Sequence, residues 1–303
     1  MNVAYIKNEG IDKSKWDRCI EMSGNGSIYG YSYYLDNMSK HWDALVMGDY
    51  DIVMPLTWNR KYGIYYLYQP FFTASLGIFG NDLTSEIVAS FLKSIPARFK
   101  FWDIYLNRGN LFTIPSFNLY SRSNFILDLN KKYDELRTNY SSNHIRNIKK
   151  AEDQGCYTKR NIPIASIIQL AKNNSKNFSP LRATDYDNLV KVYEFLKTQS
   201  NAVTYGAYDG NHKLLSSCVF FFSHGRAYYI LVGNDPAGKT IGSSHFLIDA
   251  FIKERAGEKL TLDFEGSNLP GIALFYKGFG ATEEKYTGIK MNDLPALIKL
   301  FKK

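Results

Sequence analysis

The stretch RAYYILVGNDPAGKTIGSSHFLIDAFIKERAG, residues 226–257, joins a strand pattern to an amphipathic helix pattern through a loop of small residues. We expect the strand to end near Val232 and the helix to begin near Ser243. A turn of this kind at a helix N-terminus can bind an anion, because its amide groups and the helix dipole point at the ligand. Within it, GNDPAGKT (233–240) fits the P-loop pattern G-x-x-x-x-G-K-[ST].

The strands before this loop argue against a P-loop nucleotide site. AVTYGAYD, KLLSSCVFFFS and RAYYILV follow one another with only the short turns DGNH and HG between them. Such turns form antiparallel hairpins, whereas a P-loop core needs parallel strands joined by crossover helices. The chain after Thr240 has room for one further acid-ended strand, LTLDFE, and not for the rest of such a core. We therefore expect no tight binding of ATP or GTP.

The element order repeats along the chain. From residue 155 onward the pattern predicts β-α-α-β-β-β-α-β-α-β, and residues 2–107 repeat much of it with the meander DALVMGDYD, DIVMPLTWNR and YGIYYLYQ. The sequence therefore predicts an α/β protein (an α+β fold with mixed sheets) in two tandem domains, 1–130 and 156–303. A basic linker helix, 131–155, is expected between them.

This order resembles the GNAT fold of N-acyltransferases, in two copies. In that family a [QR]-x-x-G-x-[GA] loop after the fourth strand binds the pyrophosphate of acyl-CoA. KTIGSS is a near match, with Lys239 in place of Gln or Arg and Ser244 in place of Gly or Ala. The implied donor-binding residues are Lys239, Thr240, Ile241, Gly242, Ser243, Ser244 and the following His245. An ordinary strand-to-helix turn with a Ser cap, which binds no ligand, would be compatible with the same sequence.

Two further motifs resemble the Fem-type aminoacyl transferases of the FemAB group. DFEGSNLPGIALFYKGFGA (263–281) is similar to that group's closing motif F-[YK]-K-x-F-G. The linker helix contains RNIKKAEDQG (146–155), similar to R-x-I-[RK]-K-A-x-x-x-G. The coiled-coil arm that Fem-type enzymes usually carry has no counterpart in this sequence. The first copy has no evident counterpart of FYKGFG, so we expect it to be structural or acceptor-binding.

Acyl transfer to an amine needs a base for the amine proton, donors for the oxyanion and an acid for the leaving group. Glu265 is the candidate base, with Asp263 sharing that role or orienting it, and Tyr276 is the candidate acid. The Fem-type resemblance implies that Lys277 stabilises charge on the acyl donor. Each residue also has an ordinary structural alternative: a helix cap for Glu265, core packing for Tyr276, a solvated surface position for Lys277 and a structural role for His245.

Composition limits the remaining classes. The chain has 303 residues and a formal net charge of +8, which favours phosphate-bearing partners without requiring nucleic acid. The three cysteines form no C-x-x-C pair or Cys/His cluster, so we expect no metal site and no disulfide scaffold. No apolar run reaches the length of a membrane span, and MNVAYIKNEG lacks the apolar core of a signal peptide. These features predict a soluble, cytoplasmic protein.

These observations together predict an N-acyltransferase that uses acyl-CoA, with acetyl-CoA as the first candidate, and a small-molecule or peptide amine as acceptor. A phosphate-bearing acceptor could contact the linker helix through Arg137, His144, Arg146, Lys149 and Lys150. One alternative is a Fem-type transfer from aminoacyl-tRNA to a cell-wall precursor. The other is a non-catalytic GNAT pair that binds CoA or a peptide.

Overall fold

The computed structural model describes residues 2–175, 181–266 and 268–295. The predicted domain ends at residues 1 and 303 lie outside these ranges. The chain divides into two compact units: unit 1 holds the residues up to Ser123 and those from Lys285 onward, and unit 2 holds Asn124–Glu284.

Unit 1 begins with a strand, two helices and a three-strand meander, as predicted. Its elements are β1 (Val3–Ile6), α1 (Lys13–Met22), α2 (Ser32–Met38), β2 (His41–Met47), β3 (Ile52–Lys61), β4 (Ile64–Tyr68), α3 (Ser85–Lys93) and β5 (Phe99–Leu106). β6 (Leu119–Asp128) then carries the chain into unit 2.

Unit 2 repeats this order after two additional helices. Its elements are α4 (Tyr133–Thr138), α5 (Ser142–Asp153), β7 (Tyr157–Arg160), α6 (Ile164–Ser175), α7 (Ala183–Thr198), β8 (Ala202–Tyr208), β9 (Leu214–Ser223), β10 (Arg226–Asn234), α8 (Pro236–Ile241), α9 (Ser243–Arg255), β11 (Thr261–Asp263) and α10 (Pro270–Lys277). The last strand, β12 (Thr282–Asn292), returns the chain to unit 1.

The strand order is the same in both units. In unit 1 the order is β1-β2-β3-β4-β5-β12, and in unit 2 it is β7-β8-β9-β10-β11-β6. The described strands of each unit include one parallel pair, β4 with β5 and β10 with β11, among antiparallel neighbours. The hairpins predicted before the loop are therefore present, and β9 and β10 are antiparallel.

The compact units differ from the predicted division at 130 and 155. The linker helix is two helices, α4 and α5, and both lie within unit 2. The predicted strand pair around Glu283–Lys290 is a single strand, β12, which pairs with β5 in unit 1. Gly288 makes no turn there: a Cβ on it would lie 2.3 Å from Cζ of Tyr120, so the glycine serves close packing.

Aromatic side chains fill the core of unit 2 between the sheet and α9. The rings of Phe220 and Phe251 stack with centroids 3.8 Å apart, and both residues are fully buried. α6 packs on the opposite face, where a Cβ on Gly233 would meet the backbone of Ala171 at 2.9 Å. Burial of this apolar surface supplies the main stabilising free energy and fixes α9 against β8 and β9.

Candidate active site

The parallel pair β10–β11 is short, and this opens a gap in unit 2. The two strands pair only over Arg226–Tyr228 and Thr261–Asp263. β10 then continues to Asn234, and its register against β9 shifts between Tyr229 and Leu231. A bulge of this kind bends a strand and ends regular pairing. Beyond Tyr228, β10 therefore stays paired with β9 as far as Asn234 but has no hydrogen-bonded neighbour on its β11 side among the described strands.

A cavity of about 400 Å³ lies beside this gap. Its lining comes from β10, the loop after it, the start of α9, and α10. The lining residues are Tyr229, Val232, Asn234, Lys239, Gly242, Ser244, His245, Ile272, Phe275 and Tyr276. Five of these, Lys239, Gly242, Ser244, His245 and Tyr276, are predicted site residues.

The predicted anion-binding loop is largely helical. Residues 236–241 form α8, whose N-terminus is capped by the Asp235 side chain, so Thr240 and Ile241 lie within a helix. Gly242 has φ +83°, ends α8 and begins α9. A Cβ at Gly242 would lie 2.5 Å from the carbonyl oxygen of Asn147 on α5. Both its conformation and its packing therefore require glycine at this position.

Hydroxyl groups surround the first turn of α9. Ser243 is fully buried and its Oγ lies 2.6 Å from Oγ of Ser216, while Ser244 Oγ donates to Asn234 Oδ1 at 2.6 Å. The N-cap residue of α9 is Gly242, which has no side chain that could accept hydrogen bonds from the first amide groups of this helix. These amides lie beside the cavity and suit a negatively charged ligand group.

A buried histidine connects α5 to α10. His144 is 3% exposed, and its Nε2 lies 2.8 Å from the carbonyl oxygen of Phe275. Because a carbonyl oxygen only accepts, Nε2 carries the hydrogen, and Nδ1 accepts from Ser141 Oγ at 2.9 Å. The backbone N–H of Ser141 also donates to the carbonyl oxygen of Gly278 at 2.9 Å. The predicted linker helix and the Fem-like closing motif, far apart in the chain, thus meet here.

His245 packs against this histidine. The two rings are T-shaped with centroids 4.5 Å apart, and the Phe275 ring lies 4.9 Å from His245. Burial, with a smaller effect from the charge of His144, lowers the pKa of His245 to about 4. The ring is therefore neutral near neutral pH and supplies no positive charge to a phosphate.

Asp263 is occupied by structural contacts. Its Oδ2 pairs with Arg226 Nη1 at 2.8 Å, and its Oδ1 accepts from Asn124 Nδ2 at 2.8 Å and from the backbone N–H of Glu265 at 3.0 Å. Arg226 also binds Glu284 through both guanidinium nitrogens. Of its two predicted roles, this geometry favours orientation of the Glu265 turn.

Glu265 occupies a strained position after β11. Its φ is +65°, in the left-handed region, and Gly266 follows at +78°. Strain of this kind in a non-glycine residue is concentrated at functional sites. Burial raises the pKa of the half-buried Glu265 carboxyl well above its ordinary value. A carboxyl with a raised pKa is a better base near neutral pH.

Tyr276 links Glu265 to the cavity. Its ring stacks on Phe264 with centroids 4.5 Å apart and lines the cavity wall. Burial raises the pKa of Tyr276, and the charge of Glu265 raises it further. The phenol therefore keeps its proton at neutral pH and remains available as a donor.

The predicted cations lie in different surroundings. Lys277 is exposed at the end of α10, and its Nζ lies 5.4 Å from the centroid of the Phe125 ring. On α5, Lys150 Nζ donates to the carbonyl oxygen of Thr240 at 2.9 Å. Burial and two hydrogen bonds occupy His144, so the predicted phosphate contact through this residue is not supported.

Sequence reasoning missed five lining residues: Tyr229, Val232, Asn234, Ile272 and Phe275. A bulge in β10 sets which of its side chains face the cavity, and strand alternation gives no sign of a bulge. Phe275 is the first residue of the FYKGFG motif, and this motif could have identified it as a site residue. Within the described ranges, no three His, Cys, Asp or Glu side chains come together as metal ligands would. None of the described helices has the length and hydropathy to cross a membrane.

Comparison with known proteins shows the fold. No family model and no curated protein sequence matches the chain. Among solved structures, FemX matches over 100% of both chains at 12% identity, with a TM-score of 0.67. L-PGS from Bacillus licheniformis matches with a TM-score of 0.57 at 9% identity, over 96% of this chain and 95% of that one. The C-terminal domain of a candidate lysylphosphatidylglycerol synthetase from Agrobacterium fabrum matches with a TM-score of 0.59 at 11% identity, over 96% of this chain and 93% of that one. The predicted pair of GNAT-like units with a Fem-type fold is confirmed.

The contact between α5 and α10 predicts a sharp requirement for glycine. A Cβ at Gly278, the C-cap of α10, would lie 1.9 Å from His144 Cε1, whereas a Cβ at Gly271 in the first turn of α10 would meet nothing within 4 Å. We expect Gly278→Ala to lower the free energy of unfolding by about 1–3 kcal/mol, the usual cost of overpacking. Urea denaturation measures this. Gly271→Ala is the matched control and should cost nothing, and equal stability of the two variants would contradict the packing.

The raised pKa of Glu265 predicts a pH-dependent stability. A carboxyl with a raised pKa in the folded state binds its proton more tightly there than in the unfolded chain. This stabilisation is fully present below the ordinary pKa of about 4.3 and is lost as the pH rises through the raised pKa. We expect Glu265→Gln to gain stability relative to wild type as the pH rises above the ordinary glutamate pKa of about 4.3, as measured by urea unfolding.

The control for this measurement is Glu21→Gln, a substitution of an exposed glutamate on α1. Its stability difference from wild type should stay constant over the same pH range. A constant difference for Glu265→Gln as well would show that the Glu265 carboxyl is not buried as described.

Proposed function

We propose that the chain is an acyltransferase that moves an acyl group from an activated, phosphate-bearing donor to an amine. The observation that carries this proposal is the cavity beside the β10–β11 gap. It combines an uncapped helix N-terminus, a cation and an apolar wall within one unit. A donor with a phosphate at one end and an acyl group at the other matches this combination.

The donor we propose is acyl-CoA, with acetyl-CoA as the first candidate. Its pyrophosphate would lie beside the exposed Lys239, at the turn around Gly242 where α9 begins. The pantetheine arm would run along Val232, Ile272 and Phe275 into the gap. The neutral, partly apolar wall of the cavity suits this arm, and the charged phosphates of the donor remain at the mouth of the cavity.

The reaction is a direct transfer. The amine nitrogen attacks the thioester carbonyl carbon, a C–N bond forms, and the C=O π electrons move to oxygen. Glu265 accepts the amine proton, the oxyanion collapses, the C–S bond breaks, and the thiolate takes a proton from Tyr276. The raised pKa of Glu265 makes its carboxylate a stronger base, and the raised pKa of Tyr276 keeps the phenol protonated until the thiolate forms. By resemblance, Lys277 would stabilise charge on the donor.

A second donor is favoured by a specific observation. The fold matches FemX over the full length of both chains. Aminoacyl-tRNA presents a similar chemical pattern, a carbonyl ester next to phosphate and adenosine, so the same cavity could receive its 3′ end. A net charge of +8 is compatible with either donor. A turnover assay distinguishes both of these enzymes from a non-catalytic pair of units that only binds CoA, because such a pair would show no turnover.

Charge reversal at the cavity mouth tests the donor site. We expect Lys239→Glu to weaken CoA binding by about tenfold in isothermal calorimetry, because a cation beside the phosphates becomes an anion. The matched control is Lys191→Glu, the same change at an exposed position on α7, which should leave the affinity unchanged.

Equal loss of affinity in both variants would show a general charge effect and contradict the assigned site. If the wild type does not bind CoA but binds aminoacyl-tRNA, and Lys239→Glu weakens that binding, the donor is aminoacyl-tRNA and the assigned cavity stands.

A further inference from the structure

The two nitrogens of His245 lie in different environments. Nδ1 is buried and has no hydrogen-bond partner among the described residues. The residue nevertheless lines the cavity, and Nε2 is not enclosed in the same way. A polar side chain with one enclosed nitrogen and one open nitrogen presents a single functional atom to a ligand.

Three aromatic rings hold this imidazole in place. His144 packs against it edge to face at 4.5 Å, and Phe275 does the same at 4.9 Å. The Phe279 ring lies 6.2 Å away. His144 is itself fixed by Ser141 and by the carbonyl oxygen of Phe275. The imidazole of His245 is therefore preorganised, as an electrostatic catalyst must be.

The proton of His245 belongs on the open nitrogen. A neutral imidazole carries one N–H, and the other nitrogen is an acceptor. An enclosed N–H without a partner is rarer in proteins than an acceptor without one. The tautomer with hydrogen on Nε2 leaves only the acceptor enclosed and turns a hydrogen-bond donor toward the cavity.

We infer that His245 is a catalytic residue whose neutral Nε2–H donates a hydrogen bond to the carbonyl oxygen of the transferred acyl group. This inference rests on the proposed function. As the amine attacks, negative charge develops on that oxygen, and a fixed donor stabilises it more than the ground-state carbonyl. The hydrogen bond strengthens in the tetrahedral intermediate and weakens again when the C–S bond breaks. His245 neither gains nor loses a proton.

The test needs no acceptor. Acetyl-CoA labelled with ¹³C at the acetyl carbonyl is bound to the full chain, and the carbonyl NMR signal is compared with that of free acetyl-CoA. A donated hydrogen bond moves this signal downfield. We expect a downfield shift in wild type and its loss in His245→Leu, with CoA affinity by calorimetry within about threefold of wild type.

Two amide variants identify the nitrogen. The amide nitrogen of Gln reaches the place of Nε2, and that of Asn reaches the place of Nδ1. His245→Gln should keep part of the shift, and His245→Asn should lose it. An unchanged shift in His245→Leu with affinity retained, or a shift kept by Asn and lost by Gln, overturns the inference.

A measurement on the unliganded protein separates this inference from the proposed donor. The ¹⁵N signals of His245, assigned by their absence in His245→Gln, report its tautomer directly. A neutral ring with hydrogen on Nε2 is expected at pH near 7. Hydrogen on Nδ1, or a protonated ring, overturns the role of His245 whatever the donor is. Failure of acetyl-CoA to bind, with the expected tautomer present, counts against the acyl-CoA donor instead.

Discussion

The buried ring of His144 sets the spacing of three helices in unit 2. It holds α5 to α10 through the carbonyl oxygen of Phe275, the ring lies close against Gly278, and it makes a T-shaped contact with His245 on α9. No larger residue fits at Gly278 while the ring is in place. The cavity wall formed by α9 and α10 depends on this contact, because both helices carry lining residues.

The chemistry of the cavity follows from the same packing. Burial keeps the imidazole of His245 neutral and raises the pKa of Glu265 and of Tyr276. The inner part of the site therefore contains groups that are uncharged or able to accept a proton near neutral pH, while Lys239 lies exposed at the mouth. A site arranged in this way can bind an anionic carrier outside and transfer an acyl group inside.

The sequence predicted most of the elements and less of the site. Hairpin turns such as DGNH and the strand-loop-helix order could be predicted from the sequence, because local turn residues and hydrophobic periodicity encode them. The helix α8 within the Gly-rich loop was not predicted, nor was the bulge near Tyr229. The fit of His144 against Gly278 depends on contacts between residues 134 positions apart, which no local pattern records. Asp263 was considered as a base or an orienting group, but its partner Arg226 was not identified.

We propose that the gap between β10 and β11 holds the acyl donor. A crystal structure of the chain with bound CoA would locate the donor. We expect the pyrophosphate beside Lys239 at the start of α9 and the pantetheine arm between β10 and α10, with its sulfur near Tyr276. CoA bound instead in unit 1, for example beside Arg18 and Tyr50 where a larger cavity of about 600 Å³ lies, would contradict it.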